Sequence, residues 1–401
     1  MENSRWSRRS ALRVLGVTSI AAGGAFASAG SAAAATGAAT GRVPAGLRPG
    51  GAFDKKLGKL AEEGKLSGTV LLTHQKRTVL SRSYGKANER RSLPNRSDTI
   101  FALASVAKLF TATAIMQLAE QGKLDLGQPI GAYLDGFPSA IADAVTVHHL
   151  LTHTSGMANF QTSEEFRANA GKWTSGAAML DGIMGVIRKS ALLFTPGTKS
   201  SYSNSGFCTL GAIVQEVSGQ SFYDYVRKHV FDAAGMSRTD YYTRPQQLSD
   251  DDIAHPYTTS AAGQRVDTLE HPEQYGSPYI GTPAGDAFTT APDLERFGRA
   301  LAGNRLIGPA YTNLMLTGKV PHAKANAGGA SAQAYGPTSA IRNGQQIIGH
   351  GGGSLGTSTL LDVHIDSDWV VVFLFNYADR TNPPIQELID DTRKLIITAA
   401  G

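Results

Sequence analysis

Ser105 and Lys108 stand three positions apart in Ser105-Val106-Ala107-Lys108, at the head of a stretch whose residues to Glu120 are almost all apolar. Residues i and i+3 of a helix share a face, so hydroxyl and amine are expected to touch. A serine hydroxyl is a weak nucleophile until a base takes its proton, and burial lowers a lysine pKa because it disfavours the charged form. Ser105 is therefore a candidate nucleophile for acyl transfer and Lys108 its candidate base, with the helix N-terminus favouring negative charge beside the serine. Ser83-Tyr84-Gly85-Lys86 repeats the spacing on a stretch patterned as a strand, where i and i+3 point to opposite faces, and is set aside.

Two further motifs carry groups that acyl transfer needs. Pro196-Gly197 predicts a turn leading to Tyr202-Ser203-Asn204, just before a helix. The Tyr202 phenol can relay protons beside a cation, and the Asn204 amide can hold a substrate carbonyl or amide. Tyr311-Thr312-Asn313 has the same pattern but continues through Leu314, Met315 and Leu316 as a packing helix. His350-Gly351-Gly352-Gly353 ends a predicted strand and offers backbone N–H groups, with no side chains in the way, to a developing oxyanion.

The elements that must position these groups follow from periodicity. Phe53 to Glu63 has helical spacing, and Thr69–Thr73 and Val79–Tyr84 read as paired strands. A helix apolar all round, such as Ser105 to Glu120, belongs in the centre of a protein. Asp181–Lys189, Gly206–Val217 and Phe222–Phe231 read as helices, and Tyr242 to Thr282 as long surface loops. Thr290-Ala291-Pro292-Asp293 announces another helix. Gln345–His350, Ser358–Ile365 and Trp369–Tyr377 read as strands, and Pro384–Thr398 as a closing helix. Strands at both chain ends around a helical middle predict an α+β fold: one sheet built from both termini (about 52–105 and 285–401), with a mainly helical region (about 106–284) inserted.

Composition narrows the function. The 401 residues are 41% hydrophobic and 18% charged, an ordinary globular balance. The net charge of +5 is concentrated near the start, where Arg5, Arg8, Arg9 and Arg13 against Glu2 leave only +2 for the remainder. No basic stripe with interleaved aromatics follows, which argues against a nucleic-acid partner. The single cysteine, Cys208, allows no internal disulfide and no zinc cluster, so it reads as a small buried hydrophobe and no metal is expected.

Residues 1 to about 35 have a basic stretch, a weakly apolar run from Ala11 to Ala29 and alanines at Ala32–Ala35, the three parts of an export signal. Ser7-Arg8-Arg9-Ser10 resembles the twin-arginine signal, so residues 1–41 are read as leader and spacer, and the protein as secreted or held in a bacterial cell envelope. No later stretch has the length and hydropathy of a membrane span.

The order S-x-x-K, Y-x-N, H-x-G, with Leu150-Leu151-Thr152-His153-Thr154-Ser155-Gly156-Met157, resembles the serine β-lactamase and D-alanyl-D-alanine carboxypeptidase superfamily, especially class C β-lactamases, carboxypeptidases of the Streptomyces type and family VIII esterases. The resemblance runs from about Phe53 to Ile397. It implies Ser105 as the acylated nucleophile, Lys108 and Tyr202 as general bases, and Asn204 as a contact of substrate and lysine. It also implies an oxyanion hole from the backbone amides of Ser105 and Gly353, and no cofactor. Substrate would further meet His350, Gly351 and Gly352. Where β-lactamases carry K-T-G this chain has His350-Gly351-Gly352, which removes a fixed charge and a hydroxyl that grip a substrate carboxylate. The expected substrates are therefore small: D-amino-acid peptides first, then esters, with β-lactams turned over weakly.

Two rival readings are weighed. Gly352-Gly353-Ser354-Leu355-Gly356 satisfies G-x-S-x-G, but a nucleophile elbow needs a helix next, whereas Thr357 to Ile365 is patterned as a strand. A penicillin-binding sensor or scaffold that is acylated without turnover is the non-enzyme alternative.

Overall fold

The computed structural model describes residues 42–275, 278–322, 329–379 and 383–400. The leader expected at 1–41 lies outside the described residues. Among the described residues no helix is long and apolar enough to cross a membrane.

An eight-stranded antiparallel sheet organises the chain. Its strands are β1 (Gly68–His74), β2 (Arg77–Tyr84), β3 (Val320–Pro321), β4 (Gly329–Gln333), β5 (Thr338–Arg342), β6 (Gln345–Ser354), β7 (Thr357–His364) and β8 (Trp369–Phe375). They lie in the order β2-β1-β8-β7-β6-β5-β4-β3, so the N-terminal hairpin is zipped onto the C-terminal meander by the β1–β8 pairing, Val70 opposite Phe373. The β-branched and aromatic run of β8 is buried on both sides, which is why Trp369–Phe375 reads as continuously apolar rather than alternating.

Two cores follow. On one face Val70, Leu72, Val371 and Phe373 pack under helices α1 (Ala52–Glu62) and the C-terminal helix Ile385–Ala400. On the other, Leu71, Leu361, Val370 and Val372 pack under the helical region, whose centre is α2 (Lys108–Glu120). Every residue of α2 except Glu120 is buried. Its Phe110 meets Phe231 and Phe297 edge to face, with centroids 5.0 and 4.8 Å apart. Burial of each such ring is worth about 1.5–3 kcal/mol. Around α2 stand α3 (Gly176–Arg188), α4 (Asn204–Ser218) and α5 (Ala291–Ala302). Each of these three is capped at its N-terminus by a hydroxyl side chain, from Ser175, Ser203 and Thr290 respectively.

Three local expectations are corrected. Strands β4 and β5 were not foreseen, because Gly-Ala-Ser-Ala-Gln has weak strand propensity and becomes a strand through its register with β5. The stretch from Tyr242 to Thr282 is not a surface loop. It holds the helix Arg244–Ser249 and a hairpin of Tyr257–Thr259 with Arg265–Asp267, and it buries Ile253, His255, Tyr257 and Leu269. Irregular spacing hid those buried residues, which are fixed by long-range bonds such as Tyr257 N–H to Asn376 O at 2.7 Å. Finally, the glycine run does not end its strand: β6 continues through Gly351–Gly353 to Ser354, paired with β7. Ser354 thus closes one arm of a hairpin and no helix follows it, so the elbow geometry of the rival reading is absent.

Candidate functional site

Ser105 lies in the 3-10 turn Ala104–Ala107 that runs directly into α2. In such a turn i and i+3 eclipse, which sets Ser105 beside Lys108. The turn is pinned on two sides. Thr359 Oγ1 donates to Leu103 O at 2.9 Å, and Asp286 N–H donates to Ala104 O at 3.1 Å. Ala104 itself is held at φ +45°, a strained left-handed conformation that the surrounding bonds maintain.

The Tyr202 hydroxyl donates to Ser105 Oγ at 2.7 Å, and Lys108 Nζ lies 3.3 Å from the same oxygen. Lys108 is fully buried, and that burial depresses its amine to about 7. Nζ also donates to Asn204 Oδ1 at 2.8 Å and to Ala284 O. A neutral amine has two N–H groups and one lone pair. With both hydrogens engaged by Asn204 and Ala284, the lone pair is left for the serine proton. Burial pushes the Tyr202 phenol up to about 12, so it stays protonated and acts as a donor at rest, even though the residue is 44% exposed at the site mouth.

Strand β6 forms the opposite wall. A Cβ built on Gly352 would stand 2.3 Å from both Leu103 O and Thr359 Oγ1, and 3.2 Å from the Ser105 backbone nitrogen, so only glycine lets the strand approach the turn this closely. The N–H of Ser105, in the first turn, has no intrahelical acceptor to satisfy it. Gly353 faces open space, with nothing within 4 Å of a built Cβ. His350 Nδ1 is 2.5 Å from Gly351 O. Burial, and then the Lys108 charge, hold its imidazole below the usual range, so it supplies no fixed cation where a lysine would. Cys208 is buried and its thiol is pushed up to about 12 by burial, which leaves it inert.

Other site residues escaped the sequence reading. His153, at φ +58°, packs on Tyr202 with ring centroids 4.5 Å apart and planes tilted by 35°, and its Nδ1 accepts from Ser203 N–H at 3.2 Å. Burial drives it to about 3, so it remains neutral beside Lys108. Asn159 clamps the same turn, accepting from Asn204 N–H at 2.6 Å and donating to Tyr202 O at 3.1 Å. Asn204 Nδ2 donates to Gln161 Oε1 at 2.5 Å. Alternate amides at Asn159 and Gln161, just after His153-Thr154-Ser155-Gly156, were the available signal. Among the described residues one group has metal-ligand character, His255 with Asp267 and Glu270, and it is engaged internally. His255 bonds Asp267 at 2.6 Å and Asn88 at 3.3 Å, and Glu270 pairs with Arg90.

A sheet zipped from both chain ends, with a buried S-x-x-K turn against one strand and a Y-x-N turn opposite, defines the β-lactamase and transpeptidase-like fold. The sequence pattern of the β-lactamase family matches residues 53–392, and the chain belongs to that family, within a superfamily of serine hydrolases. It is 30% identical to a curated penicillin-binding protein of Bacillus subtilis (strain 168) over 340 residues, covering 80% of this chain and 70% of the relative. A teichoic acid D-alanine hydrolase of Staphylococcus aureus is 22% identical over 265 residues, 65% of this chain and 61% of that one. Among solved structures, a penicillin-binding protein from Bacillus halodurans is similar with a TM-score of 0.72 and 29% identity, covering 84% of this chain and 98% of that chain.

Proposed function

We propose that the protein is an exported serine hydrolase that cleaves D-amino-acid peptides through an acyl-enzyme on Ser105, in the manner of a D-alanyl-D-alanine carboxypeptidase. The observation that carries this reading is the Ser105 hydroxyl held 3.3 Å from a buried amine and 2.7 Å from a phenol. Lys108, depressed to about 7 by burial, takes the serine proton as Oγ attacks the scissile carbonyl. The oxyanion forms against the backbone N–H groups of Ser105 and Gly353. Tyr202 hands a proton to the leaving amine and is reprotonated from Lys108. Water then releases the acyl group by the reverse relay. Asn204, fixed by Lys108, Asn159 and Gln161, orients the substrate amide, and His350, Gly351 and Gly352 line its path. The penicillin-binding and D-alanine-hydrolase relatives support the choice of D-residue substrates, and the Arg8-Arg9 leader supports export.

Mass spectrometry after treatment with a fluorophosphonate and with a penicillin, alongside turnover of D-Ala-D-Ala peptides, tests the reading. Label on Ser105 and loss of turnover in Ser105→Ala are expected. Turnover surviving in Ser105→Ala would overturn it, and a lasting penicillin adduct on an enzyme that hydrolyses no peptide would favour the sensor reading.

A further inference from the structure

A cavity of about 250 Å³ has in its wall Ala102 and Asp286, and the backbone N–H of Asp286 bonds the Ala104 carbonyl of the Ser105 turn. Its walls are mixed: Phe160, Met179, Ile183 and Leu269 form an apolar part, Gln161, Gln247, Thr268 and Thr282 a polar one, and Leu355, 52% exposed, also lines it. Among the described residues, Asp286 is the one charged residue that lines it. The loop Thr282–Asp286 is folded back on itself by reciprocal Thr282–Gly285 backbone bonds, and its Ala284 carbonyl accepts from Lys108 Nζ. The loop that holds the candidate base therefore also carries the carboxylate.

Three features of Asp286 are costly unless a ligand uses them. Its backbone sits at φ +63°, where glycine would be unstrained. Among the described residues, no hydrogen bond and no ion pair reaches its carboxylate, and Lys108, whose hydrogens go to Asn204 and Ala284, forms none with it. Burial raises its proton affinity, with the Lys108 charge opposing. A carboxylate set deep in the fold, half-buried at a cavity wall and without a protein partner, is destabilising relative to a paired one, and a cation brought by a ligand would relieve that cost.

We infer that Asp286 is the counter-ion for a primary ammonium on the acyl side of the substrate, so that the enzyme selects D-residue substrates bearing a free amine. The inference rests on acyl transfer at Ser105. The ammonium has two chemical sources: the α-amine of an N-terminal D-residue at the scissile bond, or the side-chain amine of a basic residue preceding a D-alanyl residue. Phe160 and Leu269 would flank the apolar part of the acyl group while the amine reaches Asp286.

The test reads ratios of kcat/KM within each enzyme. One pair is D-alanyl-p-nitroanilide against its N-acetyl form. The other is Nα-acetyl-L-lysyl-D-alanyl-D-alanine against its Nε-acetyl form. Wild type should favour the free amine in one pair by roughly 10- to 100-fold, the range of a charge-assisted bond in a dry site, and the pair that responds identifies the source. Asp286→Asn should collapse that ratio. Asp286→Gly, which relieves the φ +63° backbone, should collapse it in a protein at least as stable. A wild-type ratio near one in both pairs, or a preference that survives in both variants, overturns the inference. Fluorophosphonate labelling of Ser105 in each variant reports the acyl-transfer reading separately, since that probe carries no amine. If labelling persists while the ratios fail to change, the charge selection alone is wrong.

Discussion

The imidazole of His153 lies against the ring of Tyr202, centroids 4.5 Å apart, and accepts from the backbone N–H of the very next residue, Ser203. A residue some fifty positions upstream thus sets where the phenol oxygen points. His153→Ala should lower kcat about tenfold or more with a smaller change in KM, because it misplaces a proton donor rather than a binding group. His153→Asn, which tolerates φ +58° and retains an acceptor for Ser203, should recover part of that loss. Steady-state kinetics of the two variants decides.

The pH dependence follows from which form of Lys108 works. In the proposed mechanism the neutral amine is the base, and burial places its proton loss at about 7, so kcat/KM should rise through pH 7 and then level off. Loss of the Tyr202 proton, displaced to about 12, should produce no falling limb below pH 10. With a substrate that carries no free amine, whose own titration would otherwise intervene, a bell with a descending limb near pH 8 would contradict these assignments.

Burying Lys108 also costs stability, with a sign that can be measured. Its folded pKa lies below the ordinary 10.5, so the unfolded chain binds the proton more tightly. The penalty grows as pH falls from about 10.5 to about 7 and is constant below. Lys108→Met removes it, so the gain in thermal stability over wild type should be larger at pH 7 than at pH 10. Melting curves at the two pH values check this, and the variant should be inactive.

Neighbouring glycines should behave oppositely. Gly352→Ala forces a Cβ to within 2.3 Å of Leu103 O and Thr359 Oγ1, and should displace the Ser105 turn, costing about 1–3 kcal/mol of stability and roughly 100-fold or more in kcat. Gly353→Ala adds its methyl to open space and should fold normally and keep activity within a few-fold. Denaturant unfolding and turnover of both variants separate the cases.

Much of this was legible because it depends on local periodicity. The i, i+3 contact of Ser105 with Lys108 follows from helix geometry, and the apolar run to Glu120 requires a central helix. The strands Gly68–His74 and Trp369–Phe375 announce themselves by composition, though not that Val70 would face Phe373. Where neighbours in sequence do not decide the environment, periodicity misleads: Tyr242 to Thr282 reads as loop, and the strand reads as ending at the glycine run although it continues to Ser354.

What the chain determined by itself is the set of chemical groups and their local spacing: a hydroxyl and an amine one turn apart, a phenol before a helix cap, a run of bare amides. Tertiary structure alone decided that Lys108 is dry enough to lose its proton near neutrality, that His153 and Asn159 hold Tyr202 over Ser105, and that Asp286 lines a cavity. The reason is physical: proton affinity and orientation are set by desolvation and by partners far away in the chain, and neither is a property of residue order.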